Sequence, residues 1–195
     1  MALSLSSCTE QDEVSEYDNW EVRNTAYIDS IAKVCDKNAD GTWTKFCAYT
    51  LDEETEAKSP NNNHYIYVQK LKNGSGTYNP IFNDSIRVHY IGRYIPTQSY
   101  PQGYVFDKSY STYTFNDATD VPSLFAVNGL VVGFSTAAMH MVEGDYWRVY
   151  IPSYLGYGTS DKKDSGGIPA YTTLIFDIKM AKVYKYLVDK DTSWH

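Results

Sequence analysis

The side chains able to do covalent or metal chemistry are few in this sequence and stand apart from one another. The four histidines, at 64, 89, 140 and 195, are isolated, and no paired-histidine metal motif is present. Nor is there a Gly-x-Ser-x-Gly elbow, a phosphate loop or a dinucleotide fingerprint. His89 falls inside an alternating run and reads as a packed strand residue. His140, flanked by two methionines, reads as a helix-surface residue. Asp36-Lys37-Asn38-Ala39-Asp40-Gly41 imitates the first half of a calcium loop, but the twelfth position, which should be a bidentate glutamate, is Cys47. That string therefore reads as the turn ending a helix. No cofactor or metal is expected, and any chemistry has to be non-covalent. The abundant resource is aromatic surface, with nineteen tyrosines. Tyrosine favours half-buried strands, so a sheet-dominated fold is the first expectation.

Charge separates the chain into two parts. Residues 1–60 carry 13 acidic and 5 basic side chains, whereas residues 61–195 carry 11 and 12. An acidic leader thus precedes a nearly neutral domain, and neither has the basic stripe that nucleic-acid binding requires. All three cysteines, 8, 35 and 47, lie in the leader. Leu5-Ser6-Ser7-Cys8 resembles a bacterial lipobox, in which the cysteine is lipidated, and the polar stretch after it reads as a tether. A lipid on Cys8 would hold the domain at a membrane face of the cell envelope. Cys35 and Cys47 have two readings: a disulfide in an oxidising compartment, or two free thiols on a helix and a strand.

Elements can be placed from periodicity. Tyr17 to Lys37 gathers Tyr17, Trp20, Tyr27, Ile28, Ile31, Ala32 and Cys35 near one helical face, with Gly41 available for a left-handed turn. Trp43 to Leu51 reads as a short strand and Asp52 to Asn63 as a linker. Strands follow at Tyr65 to Leu71, Asp84 to Ile95 and Tyr104 to Ser109. In the second of these, Ile86, Val88 and Tyr90 share one face while Arg87, His89 and Ile91 share the other. Asn128 to Met141 is the one convincing helix of the domain; strands at Asp145 to Pro152 and Thr172 to Tyr186 complete it. The expected class is α+β, an antiparallel sheet wrapped around one short helix, with an N-terminal helical extension. The expected organisation is 1–13 lipobox remnant and tether, 14–60 helical leader and linker, 61–187 main domain and 188–195 tail.

Seven spaced strings, in order, carry a resemblance. They are Leu71-x-x-Gly74-x-Gly76; Asp84-Ser85-Ile86-Arg87-Val88-His89-Tyr90-Ile91-Gly92; Phe106-Asp107-x-Ser109; and Phe125-Ala126-Val127-Asn128-Gly129-Leu130-Val131-Val132-Gly133-Phe134. Further on come Met141-x-x-Gly144-x-x-Trp147-Arg148-Val149-Tyr150-Ile151-Pro152, Leu155-Gly156-Tyr157-Gly158 and Ile168-Pro169-x-x-Thr172-x-Leu174-Ile175-Phe176-Asp177-Ile178. Together they resemble the FKBP-type peptidyl-prolyl cis-trans isomerases. With the acidic leader and Cys8, the chain is similar to FKBP-like lipoproteins of Bacteroidetes-type bacteria.

The resemblance implies a groove for proline-containing peptides or unfolded proteins, open also to macrolide-type inhibitors. Its implied catalytic residues are Tyr90, Phe106, Asp107, Phe134, Tyr157 and Phe176; its implied substrate-binding residues are Leu130, Val131, Gly156 and Ile168. Phe134 would floor the prolyl ring, and the Tyr157 hydroxyl and Ile168 N–H would hold carbonyls. Asp107 would accept from hydroxyls such as that of Tyr90. Departures from the pattern are Phe134 where tryptophan is usual, Ala170 in place of a second proline, Ser123 in place of an aromatic, and a long Tyr/Pro-rich segment from Gly92 to Phe106. A non-catalytic peptide-binding chaperone, or a surface lipoprotein binding glycan or protein through its tyrosines, are the alternatives on the same fold.

Overall fold

A computed structural model describes residues 15–110, 116, 119–161 and 167–186. The Cys8 lipobox, the 1–13 tether and the 188–195 tail lie outside the described residues. Helix α1 (Trp20–Lys37) leads into strand β1 (Trp43–Cys47), a short helix α2 (Glu53–Lys58), and strands β2 (Tyr65–Lys72), β3 (Ser85–Arg93), β4 (Val105–Lys108) and β5 (Ser123–Ala126). Helix α3 (Val132–His140) and strands β6 (Tyr146–Ile151) and β7 (Leu174–Tyr184) follow. The strands form one antiparallel sheet in the order β1-β2-β6-β7-β3-β4, and β5 pairs with the first half of β3. This is the expected α+β architecture.

Side chains of a strand alternate between faces, and here both faces of the central strands are covered. Ile66 and Val68 of β2, Val149 and Ile151 of β6, and Leu174, Phe176 and Ile178 of β7 point into one core with Phe134, Ala137 and Ala138 of α3. Their alternates Tyr67, Tyr150 and Ile175 form a second layer with Ile28, Ile31, Ala32 and Cys35 of α1. Close approach of α3 depends on Gly133, where a Cβ would sit 2.3 Å from an Ile151 methyl. At the sheet's outer surface Asp177, nearly buried, is held by Arg148 at 2.6 and 2.9 Å and by Arg93 at 2.9 Å.

Helix α1 docks on the domain rather than trailing from it. Trp20 enters the main core, and its indole N–H donates to Thr172 Oγ1 at 2.8 Å. Four residues on, buried Asn24 accepts from the Thr173 N–H at 2.8 Å and donates to the Trp20 carbonyl at 2.7 Å. The helix ends at Lys37 as expected: Asn38 takes the left-handed cap position (φ 40°), its N–H bonded to the Val34 carbonyl, and Gly41 makes the left-handed turn after it (φ 71°). Asparagine tolerates that conformation because its side chain bonds locally, here accepting from the Trp43 N–H at 2.9 Å.

Two expectations are corrected. The 52–63 stretch is not an irregular linker: Asp52 caps α2 by accepting from the Glu54 and Thr55 N–H groups, and acidic residues fill the favourable first turn. The helix expected from Asn128 begins at Val132, after a 3-10 turn at Val127–Gly129 and a strand, β5, that was not expected. Phe125 sits opposite Ile86 there, a pairing that a four-residue run cannot announce. Of the two readings of Cys35 and Cys47, the structure has the free thiols, one on a helix and one on a strand. Cys35 is packed in the layer with Tyr67, Cys47 ends β1 opposite Tyr65, and Lys45 reaches Asp36 at 2.8 Å on the same side of β1. Burial pushes both thiols above their ordinary range, which keeps them protonated and poorly nucleophilic.

Two outcomes follow for stability. Trp20→Ala removes a core indole and its hydrogen bond, and urea denaturation of the variant should show a loss of about 3–5 kcal/mol. Burial also pushes the Tyr27 hydroxyl up to about 12 and raises those of Tyr67, Tyr90 and Tyr94. An unfolded tyrosine ionises near about 10, so above that pH the unfolded state holds fewer protons than the folded one. This stabilisation should be complete below about pH 10 and fall away as pH climbs through the folded values. Denaturation midpoints measured from pH 8 to 12 will read it.

Candidate active site

Strand β3 carries Tyr90 inward between β4 and β7. Its backbone is pinned by Ser109, whose hydroxyl accepts from the Tyr90 N–H at 2.9 Å and whose N–H donates to the Tyr90 carbonyl at 3.0 Å. Two residues along, Gly92 faces Asp107 on one side and Phe176 on the other. A Cβ at Gly92 would lie 2.6 Å from the Phe106 ring and 2.7 Å from the Phe176 ring. Absence of that carbon lets the two rings meet edge to face, with centroids 5.5 Å apart. Helix α3 adds Phe134, which meets Phe176 at 5.1 Å and Tyr90 at 6.4 Å, both near perpendicular. Edge-to-face contacts of this kind hold each ring in one orientation.

These rings bound a cavity of about 290 Å³. Tyr90, Phe106, Phe134 and Phe176 form its aromatic walls, Leu130 and Val131 enter from the residues before α3, and Asp107 and Tyr157 stand as its polar members. The Tyr90 hydroxyl donates to Asp107 Oδ2 at 2.7 Å, while Asp107 Oδ1 accepts from the Lys108 N–H at 2.8 Å. Both contacts fix a carboxylate that is otherwise exposed. Burial, then the Asp107 charge, push the Tyr157 hydroxyl upward, so it remains a proton donor at neutral pH. Among the described residues no hydrogen bond engages that hydroxyl, which leaves it available to a guest.

Eight of the ten residues singled out as catalytic or substrate-binding come together at the cavity wall. Ile168 and Gly156 do not line it. The Ile168 side chain is buried in the main core, and Gly156 backs onto Leu174, whose Cδ1 would lie 3.1 Å from an added Cβ. Two lining residues went unassigned, Phe125 and Gly129. Phe125 closes one side, its ring 5.7 Å from that of Tyr90. The signal for Phe125 was the alternation within Ser123–Ala126, obscured by the helix signal just after it.

The other clusters offer less. A larger cleft of about 600 Å³ between Asp29 of α1, α2 and residues 59–64 has a polar wall whose side chains are largely paired. His64 meets Glu56 at 2.7 Å and Asn62 donates to Asp29 at 2.7 Å. Asp36 and Asp40 of the calcium-like string bond Lys45 and Thr42 instead. Among the described residues no group of three or more His, Cys, Asp or Glu side chains could hold a metal ion, and no helix is long and apolar enough to cross a membrane.

An antiparallel sheet against one short helix, with an aromatic cavity holding one carboxylate and one free phenol, defines an α+β domain whose cavity is lined by no Ser, Cys or His among the described residues. Residues 76–181 match the FKBP-type peptidyl-prolyl cis-trans isomerase family, and the chain belongs to that family. It is 34% identical over 118 residues to the macrophage infectivity potentiator of Trypanosoma cruzi, covering 60% of this chain and 53% of that protein. It is 29% identical over 134 residues to the FKBP-type 22 kDa peptidyl-prolyl cis-trans isomerase of Escherichia coli K12, covering 68% and 57%. The outer membrane protein MIP of Legionella longbeachae is 30% identical over 103 residues, covering 53% and 38%. The chain thus spans about half, or less, of the length of these relatives. A crystal structure of a peptidyl-prolyl cis-trans isomerase from Pseudomonas syringae pv. tomato DC3000 superposes with a TM-score of 0.56 at 22% identity, over 84% of this chain and 96% of that one. That likeness supports the fold.

The Tyr90–Asp107 bond gives a direct test of the site's internal order. Tyr90→Phe leaves the ring and removes the hydroxyl, and because exposed Asp107 regains water the loss should stay near about 1–1.5 kcal/mol. Chemical denaturation checks the value, and weakened peptide affinity should accompany it through the freed Asp107 side chain.

Proposed function

We propose that this protein is a peptidyl-prolyl cis-trans isomerase that assists protein folding in the cell envelope. The observation that carries the reading is the cavity itself, with four aromatic walls, one anchored carboxylate and the unengaged Tyr157 phenol. It lies near the lower size limit of small-molecule sites, about 300 Å³, which suits a prolyl ring and one flanking amide.

The mechanism follows from amide electronics. Rotation about a peptide bond faces a barrier of about 18–20 kcal/mol, because resonance favours the planar form. An X–Pro bond tolerates cis, so the slow step is the barrier and not the equilibrium. Twisting the amide removes its charge separation. A wall of Phe134, Phe176, Phe106 and Tyr90 solvates the planar, dipolar form poorly and penalises the twisted form less. The Tyr157 hydroxyl would donate to a substrate carbonyl. Asp107 would keep Tyr90 oriented, and Leu130 and Val131 would hold the chain beside the proline. Each 1.36 kcal/mol removed from the barrier is worth about tenfold in rate. No covalent intermediate enters.

Substrates would be proline-containing segments of unfolded proteins, and macrolide-type inhibitors should compete for the same cavity. Lipidation at Cys8 would tether the domain to a membrane face of the envelope. The name of the Legionella relative, an outer membrane protein, agrees with such a site of action.

Exchange spectroscopy on a short X–Pro peptide tests the activity. Added protein should raise the cis–trans exchange rate in proportion to its concentration. Phe134→Ala, which removes the floor, should lower kcat/KM by about tenfold or more, the equivalent of about 1.4 kcal/mol of lost barrier reduction. Broadened peptide signals without faster exchange would identify a binding module, and no effect on either would exclude the groove. Mass measurement of the full-length native protein will read the lipid on Cys8.

A further inference from the structure

Strands β3 and β4 are antiparallel neighbours that a two-residue turn could join, yet residues 94–104 lie between them. One end of this segment is core: Tyr94 and Ile95 are 2% and 3% exposed. Its other end presents Tyr100 and Tyr104 to solvent, 43% and 40% exposed. Tyr17, 39% exposed, stands just before α1, and the tyrosines at 104 and 100 lie close enough to help raise its hydroxyl, after burial and Glu16. The fold does not need these rings at the surface, since Trp20 and Tyr94 already seal the core beneath them.

The exposed rings are braced against the cavity wall through the buried Tyr94. Phe106, which lines the cavity, stacks on Tyr94 at 5.2 Å and 16°; Tyr94 meets Tyr104 at 5.5 Å, and Tyr104 meets Tyr100 at 5.1 Å. From below, Trp20 presses its edge on Tyr94. The backbone is tied down along its length. The Tyr94 N–H donates to the Tyr104 carbonyl, the Thr97 and Gly103 N–H groups both donate to the Tyr100 carbonyl, and Ser99 Oγ donates to Glu16 Oε2 at 2.5 Å. Gly103, at φ 84°, makes the turn possible, because a Cβ there would meet the Tyr94 carbonyl at 2.1 Å. A fixed aromatic surface gives contact area at small entropy cost.

We propose that Tyr100 and Tyr104 form an accessory subsite beside the prolyl cavity, braced against its Phe106 wall through the buried Tyr94, for a proline or aromatic residue of the same peptide, flanking the isomerised bond. It rests on the isomerase reading and narrows the substrate class to proline-rich or aromatic-flanked segments in extended conformation. Such segments carry no internal hydrogen bonds and lose little entropy on docking, and aromatic faces receive their pyrrolidine rings. Nearness to the cavity, with Tyr104 two residues before the cavity-lining Phe106, favours this occupant over a glycan, which would need no neighbouring prolyl site.

The test uses the full chain and two peptides, a short one with a single X–Pro bond and the same core extended by Pro-Pro-Tyr on either side. Exchange spectroscopy gives rates and tyrosine-fluorescence or NMR titration gives affinities, for wild type and for the Tyr100→Ser/Tyr104→Ser variant. The wild type should prefer the extended peptide by about three- to tenfold, the worth of one or two aromatic contacts, and in the variant that ratio should fall close to one. A wild-type ratio of one, or a ratio unchanged in the variant, overturns the subsite. Because affinity is read separately from rate, absence of isomerisation would sink the activity while the affinity ratio still decides the subsite. Should the variant fail to fold, wild-type amide shifts decide: perturbation of Thr97 to Gly103 by the extended peptide alone supports the subsite, and none, or perturbation by oligosaccharide instead, overturns it.

Discussion

Period-two alternation on β2, β6 and β7 sends one set of side chains to α3, while Tyr67, Tyr150 and Ile175 of the other set are buried against α1. A one-residue slip in any of these strands would exchange the two sets, placing Tyr67 and Tyr150 against α3 and Val68 and Val149 against α1. Register is therefore specified from both sides. That constraint holds Phe176 on the α3 side and Ile175 and Asp177 on the outer face, where two arginines balance the Asp177 carboxylate. Removal of either kind of partner would leave an uncompensated charge, the costlier error in a buried ion group.

The cavity exists because its rings cannot collapse into it. Phe106, Phe134, Phe176 and Tyr90 brace one another edge to face, and each is also fastened elsewhere: to Tyr94, to α3, to β7 and to Asp107. Gly92 is the small element on which this depends, since any side chain there would separate Phe106 from Phe176. Preorganisation of this kind suits a reaction whose only requirement is a poorly hydrated wall and a few oriented donors.

Helix α1 and β1 lie outside the family match at residues 76–181, yet they are bound into the same structure. Trp20 touches the site's support twice. Its indole N–H bonds Thr172, whose own hydroxyl donates to the Pro169 carbonyl at 2.7 Å, and its edge rests on Tyr94 behind Phe106. The N-terminal part of the chain thus stiffens two flanks of the groove, and the long segment after β3 is the means by which it reaches them.

The sequence by itself determined the elements and the facing of their residues. Inward Ile86, Val88 and Tyr90, the α1 stripe and the order of the seven strings were legible because alternation and helical spacing are local properties. Eight of the ten cavity-lining residues were legible through the resemblance those strings carry, whereas Phe125 and Gly129, in the same strings, were not. What only the tertiary structure decided was proximity between distant segments. Phe125 reaches the cavity because β5 pairs with β3, Ile168 turns into the core, Cys35 and Cys47 remain apart on their helix and strand, and the Tyr/Pro-rich segment stacks on Trp20 and Phe106. The reason is physical: periodicity assigns a side chain to a face, but which side chains meet across that face depends on register and packing between strands far apart along the chain.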